Sequence, residues 1–192
     1  GQITRDHEIQ VLDEEGSGLG MPVYSLVGGK WTSWRAFSEQ VSDKCLTKLG
    51  LARRTTTNAL SIGGGRGHPV TPEDRERYIA EVIEAGGNST DRAQDLFERF
   101  GTRSIDAARF IGAGKDETLR GLPTYSRREI GFIATQEKVV HLDDVLLRRT
   151  KLAMLGQLSL DAVREIADSL ATFLNWSEER KDEEIASARD IL

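Results

Sequence analysis

The residues of this sequence that are best suited to chemistry lie in one short segment, Gly28-Gly29-Lys30-Trp31-Thr32. An apolar stretch precedes the glycines and an amphipathic helical pattern follows them, which predicts a strand-to-helix corner. The first N–H groups of a helix have no intrahelical partner and carry the positive end of its dipole, which suits a phosphate or an electron-rich ring oxygen. Lys30 adds a full positive charge at that place. The same residues are also compatible with a tight corner that binds nothing.

Residue types that often hold metals or act as nucleophiles are few and scattered. The single cysteine, Cys45, excludes an intrachain disulfide and a multi-cysteine metal site. The three histidines, His7, His68 and His141, lack the i, i+4 spacing of a helical metal pair. We therefore predict no metal site.

Charge and hydropathy limit the classes of partner. The net charge is −5, and the basic residues are interspersed with acidic ones, whereas a nucleic-acid-binding surface needs clustered positive charge. No apolar run approaches the roughly 18–20 residues of a membrane span, and residues 1–10 lack the pattern of a signal peptide. These features predict a cytoplasmic protein with no nucleic-acid partner.

The elements that would position the glycine-lysine corner can be predicted from hydrophobic periodicity. Residues 6–12 alternate in polarity and residues 22–27 are largely apolar, with turn residues between them, which predicts a β-hairpin. Apolar residues then recur every three or four positions from Trp34 to Leu49, which predicts a helix with Thr32 or Ser33 as its N-cap. Because one hairpin and one helix bury too little apolar surface to be stable alone, we expect 1–50 to be the terminal strand-turn-helix segment of a domain that begins upstream.

The remainder of the sequence is predicted to be helical. Residues 51–70 lack hydrophobic periodicity and hold four glycines within 63–67, so we interpret them as a linker; the GK[ST] ending of a phosphate loop is absent. Beyond them, capping residues introduce successive helical patterns at Thr71, Ser89, Ser159 and Ser177. Further helices are predicted over 103–111, 127–138 and 142–155. Residues 71–192 should therefore form an all-α domain with short connections.

Two parts of the sequence resemble one family in the same order. The stretch ITRDHEIQVLDEEG, followed by MPVYSLVGGKWTSWRAFSEQVSD, resembles the end of the flavin domain in FAD-dependent glycerol-3-phosphate dehydrogenases, with their GGK-x-T-[TS]-[YW]-R signature. The segments EIGFIATQE (129–137) and LDDVLLRRTKLAML (142–155) resemble the C-terminal helical domain of that family. Residues 138–141 depart from the family pattern, which usually has small residues and a capping threonine there.

The resemblance implies a mainly α fold: an all-helical C-terminal domain, preceded by a β-hairpin and helix that belong to an incomplete α/β FAD-binding domain. It also implies a function for the parent protein, the oxidation of sn-glycerol 3-phosphate to dihydroxyacetone phosphate. No G-x-G-x-x-G fingerprint occurs in the chain, and that motif would hold the FAD pyrophosphate. We therefore expect the fragment alone to bind no FAD and to be inactive, with the catalytic groups upstream of Gly1.

The same resemblance assigns site residues and partners. It makes Arg5 and Lys30 contacts of the substrate phosphate and places Gly29 to Thr32 at the pyrimidine side of the flavin. The cofactor-binding residues that it implies are Gly28, Gly29, Lys30, Trp31 and Thr32. The expected partners are the missing N-terminal FAD-binding part and glycerol 3-phosphate. A homodimer, peripheral attachment to the inner membrane face and the identity of the electron acceptor stay open.

Charged residues of the helical region have a structural interpretation. Arg148 and Arg149 are near the C-terminal end of a predicted helix that begins with Asp143 and Asp144, where the helix dipole and the Asp144–Arg148 spacing of four favour them. Residues 129 and 137, both glutamates, would share a helix face and could pair with these arginines.

Two other functions are compatible with parts of the pattern. The chain could be a non-catalytic helical docking module, in which case the upstream sequence would lack a flavin-binding motif. It could also be a piece of a flavin amine or amino-acid oxidase, although such enzymes need neither Lys30 nor this helical tail. The sequence that precedes Gly1 would separate the three hypotheses.

Overall fold

The alternating segment near the N-terminus forms the predicted β-hairpin in the computed structural model, which describes residues 6–191. Strands β1 (His7–Leu12) and β2 (Val23–Gly28) pair antiparallel, from His7 opposite Gly28 to Leu12 opposite Val23. A short helix, α1 (Glu14–Ser17), lies at the tip, where the Asp13 carboxylate accepts a hydrogen bond of 2.7 Å from the Gly16 N–H.

The predicted amphipathic helix follows the hairpin. A single 3-10 turn (Trp31–Ser33) leads into α2 (Trp34–Lys48), and Ser33 is the N-cap residue, one of the two candidates predicted. The His7 ring packs against the ring of Phe37 with a centroid distance of 4.5 Å. Within residues 6–61, Phe37 is the only apolar side chain that is buried. The core of this part of the chain is therefore small, as the periodicity predicts.

Residues 51–70 contain neither helix nor strand, but their first part contacts α2 and their later part contacts residues near the end of the helix over 90–100. The Glu39 carboxylate of α2 accepts a hydrogen bond of 2.6 Å from the Thr57 N–H and pairs with Arg53 at 2.7 Å. Farther along, the Thr102 N–H donates to the Gly64 carbonyl at 2.9 Å. The chain divides into two compact units after Ser61, inside the predicted linker. The predicted limits 1–50, 51–70 and 71–192 stay a prediction.

The second unit is helical, and the mainly α fold class is confirmed. Its helices are α3 (Pro72–Gly86), α4 (Thr90–Phe100), α5 (Ser104–Gly112), α6 (Arg127–Gln136), α7 (Leu160–Leu174) and α8 (Glu178–Ile191). The side chains of Thr71, Ser89, Ser159 and Ser177 each accept a backbone N–H from the first turn of the helix that follows. These four predicted caps are confirmed, and they satisfy donors that a helix start leaves unpaired.

The apolar faces of these helices form two adjoining cores. One lies among α3, α4 and α5, where Val82, Leu96 and Ala108 are fully buried. The other lies mainly between α6 and α7 and includes Ile130 and Ile166. Because residues of both α4 and α6 pack into these cores, the two helices are held in a fixed relation within the unit.

The predicted helix over 142–155 is shorter than expected and is not an α-helix. It becomes a π-helix over Asp144–Arg149, after which Thr150 is extended and residues 151–156 form turns. The Thr150 hydroxyl donates to the Val145 carbonyl, five residues earlier, at 2.7 Å. This side-chain bond satisfies an orphan carbonyl where the helix ends, because Ser and Thr hydroxyls can compete with backbone donors.

Two features are absent from residues 6–191, a membrane-spanning helix and a cluster of metal-ligating side chains. No helix there is long and apolar enough to cross a membrane. In the same residues, no group of three or more His, Cys, Asp and Glu side chains is arranged to hold a metal ion.

Candidate functional site

The corner between β2 and α2 carries the predicted cofactor-binding residues. Gly28 and Gly29 have φ of +76° and +96°, in the left-handed region that favours glycine. A Cβ on Gly28 would lie 2.5 Å from the backbone carbonyl oxygen of Asp6, so the hairpin itself leaves no room for a side chain there. The two glycines therefore allow the chain to leave the strand and turn at once into the helix.

Lys30 and Ser33 close this corner through reciprocal hydrogen bonds. The Lys30 N–H donates to the Ser33 hydroxyl oxygen at 3.2 Å, and that hydroxyl donates to the Lys30 carbonyl at 3.0 Å. Trp31 is 94% exposed, and Lys30 and Thr32 are also exposed. The corner thus presents a helix start, an ammonium group and an indole ring on one short segment.

This arrangement can bind an anion or an electron-rich ring edge. The first N–H groups of a helix lack intrahelical partners, and the dipole makes that end positive. The structure brings together five of the six predicted site residues, Gly28–Thr32, in one turn of chain. The sixth, Arg5, lies outside the described residues.

A buried ionic cluster in the helical unit was missed by the sequence interpretation. Glu129 of α6 is 0% exposed, and its carboxylate lies 2.6 Å from Arg92 Nη2 and 2.8 Å from Arg99 Nε. The Arg99 Nε contact is ionic, without the alignment of a hydrogen bond. Arg92 also donates to the Ser126 hydroxyl at 2.8 Å. The predicted pairing of Glu129 with Arg148 or Arg149 is therefore wrong.

Electrostatics at Glu129 reflects two opposing effects. Burial raises the pKa of the Glu129 carboxyl above its usual range, while the positive charges of Arg99 and Arg92 act in the opposite direction. The signal for this cluster was present in the sequence, since Arg92 and Arg99 are seven residues apart and share a face of α4. Only the packing of α4 against the start of α6 shows which carboxylate they bind.

The adjacent arginines Arg148 and Arg149 are held by different groups. Arg148 Nη1 lies 2.8 Å from an Asp143 oxygen and 2.9 Å from an Asp144 oxygen, so the predicted Asp144–Arg148 pair is confirmed. Arg149 Nε donates to the backbone carbonyl of Glu137 at 2.6 Å. The Glu137 carboxylate instead pairs with Arg103. Arg149 thus contacts residue 137, but through its backbone.

Comparison with known proteins decides the family. Residues 55–181 match the model of the C-terminal domain of alpha-glycerophosphate oxidase. The chain belongs to that family. The matched residues include α3 to α7 and the beginning of α8. The resemblance stated from the sequence motifs is thereby confirmed.

Several proteins named glycerol-3-phosphate dehydrogenase align with essentially the whole chain. The mitochondrial glycerol-3-phosphate dehydrogenase of Rattus norvegicus is 30% identical, with 99% of this chain and 25% of that protein aligned. The Homo sapiens mitochondrial enzyme is 27% identical over the same shares. The glycerol-3-phosphate dehydrogenase of Synechocystis is 26% identical, covering 100% of this chain and 34% of that protein. The chain thus spans a quarter to a third of the length of these relatives.

Proposed function

We propose that this chain is the C-terminal part of an FAD-dependent enzyme that oxidises sn-glycerol 3-phosphate to dihydroxyacetone phosphate. The proposal is supported by relatives named glycerol-3-phosphate dehydrogenase that align with essentially the whole chain. The observation that carries it is the exposed Gly28–Thr32 corner, in which left-handed glycines place a lysine at a helix start.

The residues of this corner fit the polar edge of a flavin. The donor set consists of backbone N–H groups of the helix start and one ammonium group, with no carboxylate in residues 28–32. Such donors stabilise negative charge on electron-rich ring oxygens. The flavin, when bound, supplies the acceptor for the hydride of the substrate carbinol. The residues from Gly29 to Thr32 would hold and orient the pyrimidine side of the ring.

Lys30 has a second role in this proposal. Its ammonium group would bind the substrate phosphate together with Arg5, since a lysine facing a phosphate forms a charge-assisted hydrogen bond. Both residues would orient the substrate carbinol toward the ring. The groups that move the carbinol proton belong to the missing N-terminal FAD-binding part, and we propose that the isolated chain is inactive without it.

Flavin retention tests whether the FAD-binding site is divided between this chain and the N-terminal part. The chain lacks the G-x-G-x-x-G motif that binds the FAD pyrophosphate. Purified chain mixed with FAD should therefore emerge from gel filtration without flavin absorbance. Stable co-elution of flavin would contradict the proposed division of the binding site.

Substitution of Lys30 tests the substrate. In the full-length enzyme, Lys30→Met should lower kcat/KM for glycerol 3-phosphate by roughly 10- to 150-fold, because a hydrogen bond to a charged group is worth about 1.5–3 kcal/mol. Lys44→Met is the matched control, since Lys44 is exposed on α2. An exposed charge contributes about 0–1 kcal/mol, so the control should change kcat/KM by no more than a fewfold.

Unphosphorylated glycerol distinguishes the two roles of Lys30. If Lys30 binds the phosphate, the slow turnover of glycerol should be nearly unchanged in Lys30→Met. Equal losses with both substrates would place Lys30 at the flavin alone. A variant with wild-type kinetics for both substrates would remove Lys30 from the site.

A further inference from the structure

A polar cleft of about 390 Å³ opens on the helical unit beside the end of the π-helix. Its walls come from α4, from residues 124–125, from Ile133 of α6 and from the segment 148–157. Four basic residues line it, namely Arg99, Arg148, Arg149 and Lys151. Two acidic residues, Asp95 and Glu98, also contribute to the walls. The cleft therefore has more positive than negative groups around it.

Some of these basic groups already have acidic partners. Arg99 pairs with the buried Glu129, and its other carboxylate neighbour, Asp95, is 3.8 Å away. Arg148 is held by the two aspartates of its own helix. Glu98 lies 3.4 Å from Arg75. Each of these charges is at least partly compensated by a neighbour.

Arg149 and Lys151 differ from the other basic residues of the cleft. Neither has a carboxylate within 4.0 Å among residues 6–191, although both are exposed at its rim. Two uncompensated positive charges two residues apart thus face one concave surface. Such a surface attracts an anion more strongly than isolated charges on a convex surface, because the low-dielectric walls focus the field.

The Arg149 guanidinium is also held in position. Its Nε donates to the Glu137 carbonyl at 2.6 Å, whereas its two Nη groups donate to no acceptor within residues 6–191. A guanidinium that is tethered through Nε keeps its terminal donors in a fixed fork, which loses less entropy when it binds an anion. The planar fork matches the geometry of phosphate oxygens.

The backbone at this place has an unusual conformation. Arg148 and Arg149 end a π-helix, and Thr150 is extended directly after them. π-helical turns are rare and occur frequently at functional sites. Here the π-helix and the extended Thr150 bring Arg149 and Lys151 to the same cleft.

We propose that this cleft binds a small soluble compound bearing a phosphate or diphosphate group, with Arg149 as a bidentate contact and Lys151 as a second positive charge. Gln157 lines the same cleft and offers an amide to a polar part of the ligand. This inference goes beyond the oxidoreductase function and does not depend on it.

The test is a titration of the full chain with inorganic pyrophosphate at constant ionic strength, in which NMR chemical shifts report binding. The backbone amides of 149–151 and the Arg149 Nε–H should shift in a saturable way. Arg149→Gln combined with Lys151→Gln should weaken binding at least about tenfold, since two charge-assisted contacts are removed. Arg149→Lys should weaken it to a smaller extent, because it keeps the charge but not the fork.

A matched control separates a specific site from net charge. Lys115→Gln combined with Arg164→Gln also removes two positive charges, at exposed positions outside the cleft. This variant should bind pyrophosphate within about twofold of the unaltered chain. Circular dichroism should show both double variants to be folded.

Three results would overturn the proposal. One is the absence of saturable shifts at 149–151, and another is equal weakening by the two double variants. The third comes from vesicles that contain an anionic phospholipid. If Arg149 and Lys151 are needed for binding to those vesicles while pyrophosphate does not bind, the positive groups contact a lipid surface rather than a soluble phosphate compound.

Discussion

Replacing Glu129 by Gln should destabilise the helical unit strongly. The Glu129 side chain is 0% exposed, while those of Arg92 and Arg99 are 14% and 20% exposed. The substitution keeps the size of the side chain but leaves two mostly buried guanidinium groups without their anion. Breaking a buried pair in this way costs about 3–5 kcal/mol, because the remaining charge is uncompensated.

The matched control is Glu137→Gln on the same stretch of chain. The Glu137 side chain is 28% exposed and its partner Arg103 is 35% exposed, so solvent screens that pair. Loss of a pair that is open to solvent costs about 0–1 kcal/mol. The two variants thus make the same chemical change in environments that differ mainly in burial.

Urea unfolding followed by circular dichroism at 222 nm measures both variants in the full chain, since most of its helices lie in this unit. The free energy of unfolding of Glu129→Gln should fall by about 3–5 kcal/mol, with a decrease in Tm of roughly 10–20 °C. Glu137→Gln should stay within about 1 kcal/mol of the unaltered chain. Equal effects of the two substitutions would refute this explanation. So would a Glu129→Gln variant as stable as the unaltered chain, because that result would mean that the Glu129 carboxyl is already uncharged and resembles the amide.

Two further predictions concern a helix contact and a carboxylate. Gly112→Ala should lower the free energy of unfolding by about 1–3 kcal/mol, because its Cβ would lie 2.8 Å from the Gly86 carbonyl oxygen; a stabilised variant in urea unfolding would contradict this close approach of α3 and α5. Hydrogen bonds from the N–H and hydroxyl of Thr57, together with Arg53, lower the pKa of Glu39 to about 2. The stabilisation by Glu39 should therefore be present above its ordinary pKa of 4.5 and disappear as the pH falls toward 2, and a carboxyl NMR titration with a midpoint near 4.5 would show that these bonds do not form.

Local patterns were sufficient for most of the secondary structure. Capping residues such as Thr71 and Ser159 mark helix starts correctly because the cap bond joins residues only three positions apart. The hairpin was also predicted, since alternation of polar and apolar residues is a local pattern. The corner at Gly28 and Gly29 was predicted because a glycine pair stands directly between the strand pattern and the helix pattern. Five of the six candidate site residues therefore lie together, as their adjacency in the sequence required.

The two errors have different causes, one within a single helix and one between distant residues. The helix predicted over 142–155 ends early because the Thr150 side chain satisfies a backbone carbonyl, an outcome that apolar periodicity does not register. The pairing of Glu129 failed because its partners, Arg92 and Arg99, come from a different helix. Several arginines of the sequence could pair with Glu129, and their positions along the chain do not show which of them lies closest to it in the folded protein.

Local spacing in the sequence was enough to predict the hairpin, the capped helix starts, the glycine-lysine corner and the family resemblance, but it did not predict the π-helix over Asp144–Arg149. Only the packing of the helices shows that Arg92 and Arg99 neutralise Glu129, and that Arg149 is tethered by the Glu137 carbonyl while its terminal N–H groups have no acceptor within residues 6–191. The physical reason is that burial and charge pairing depend on which helix faces meet. Those contacts join residues 12 to 37 positions apart along the chain.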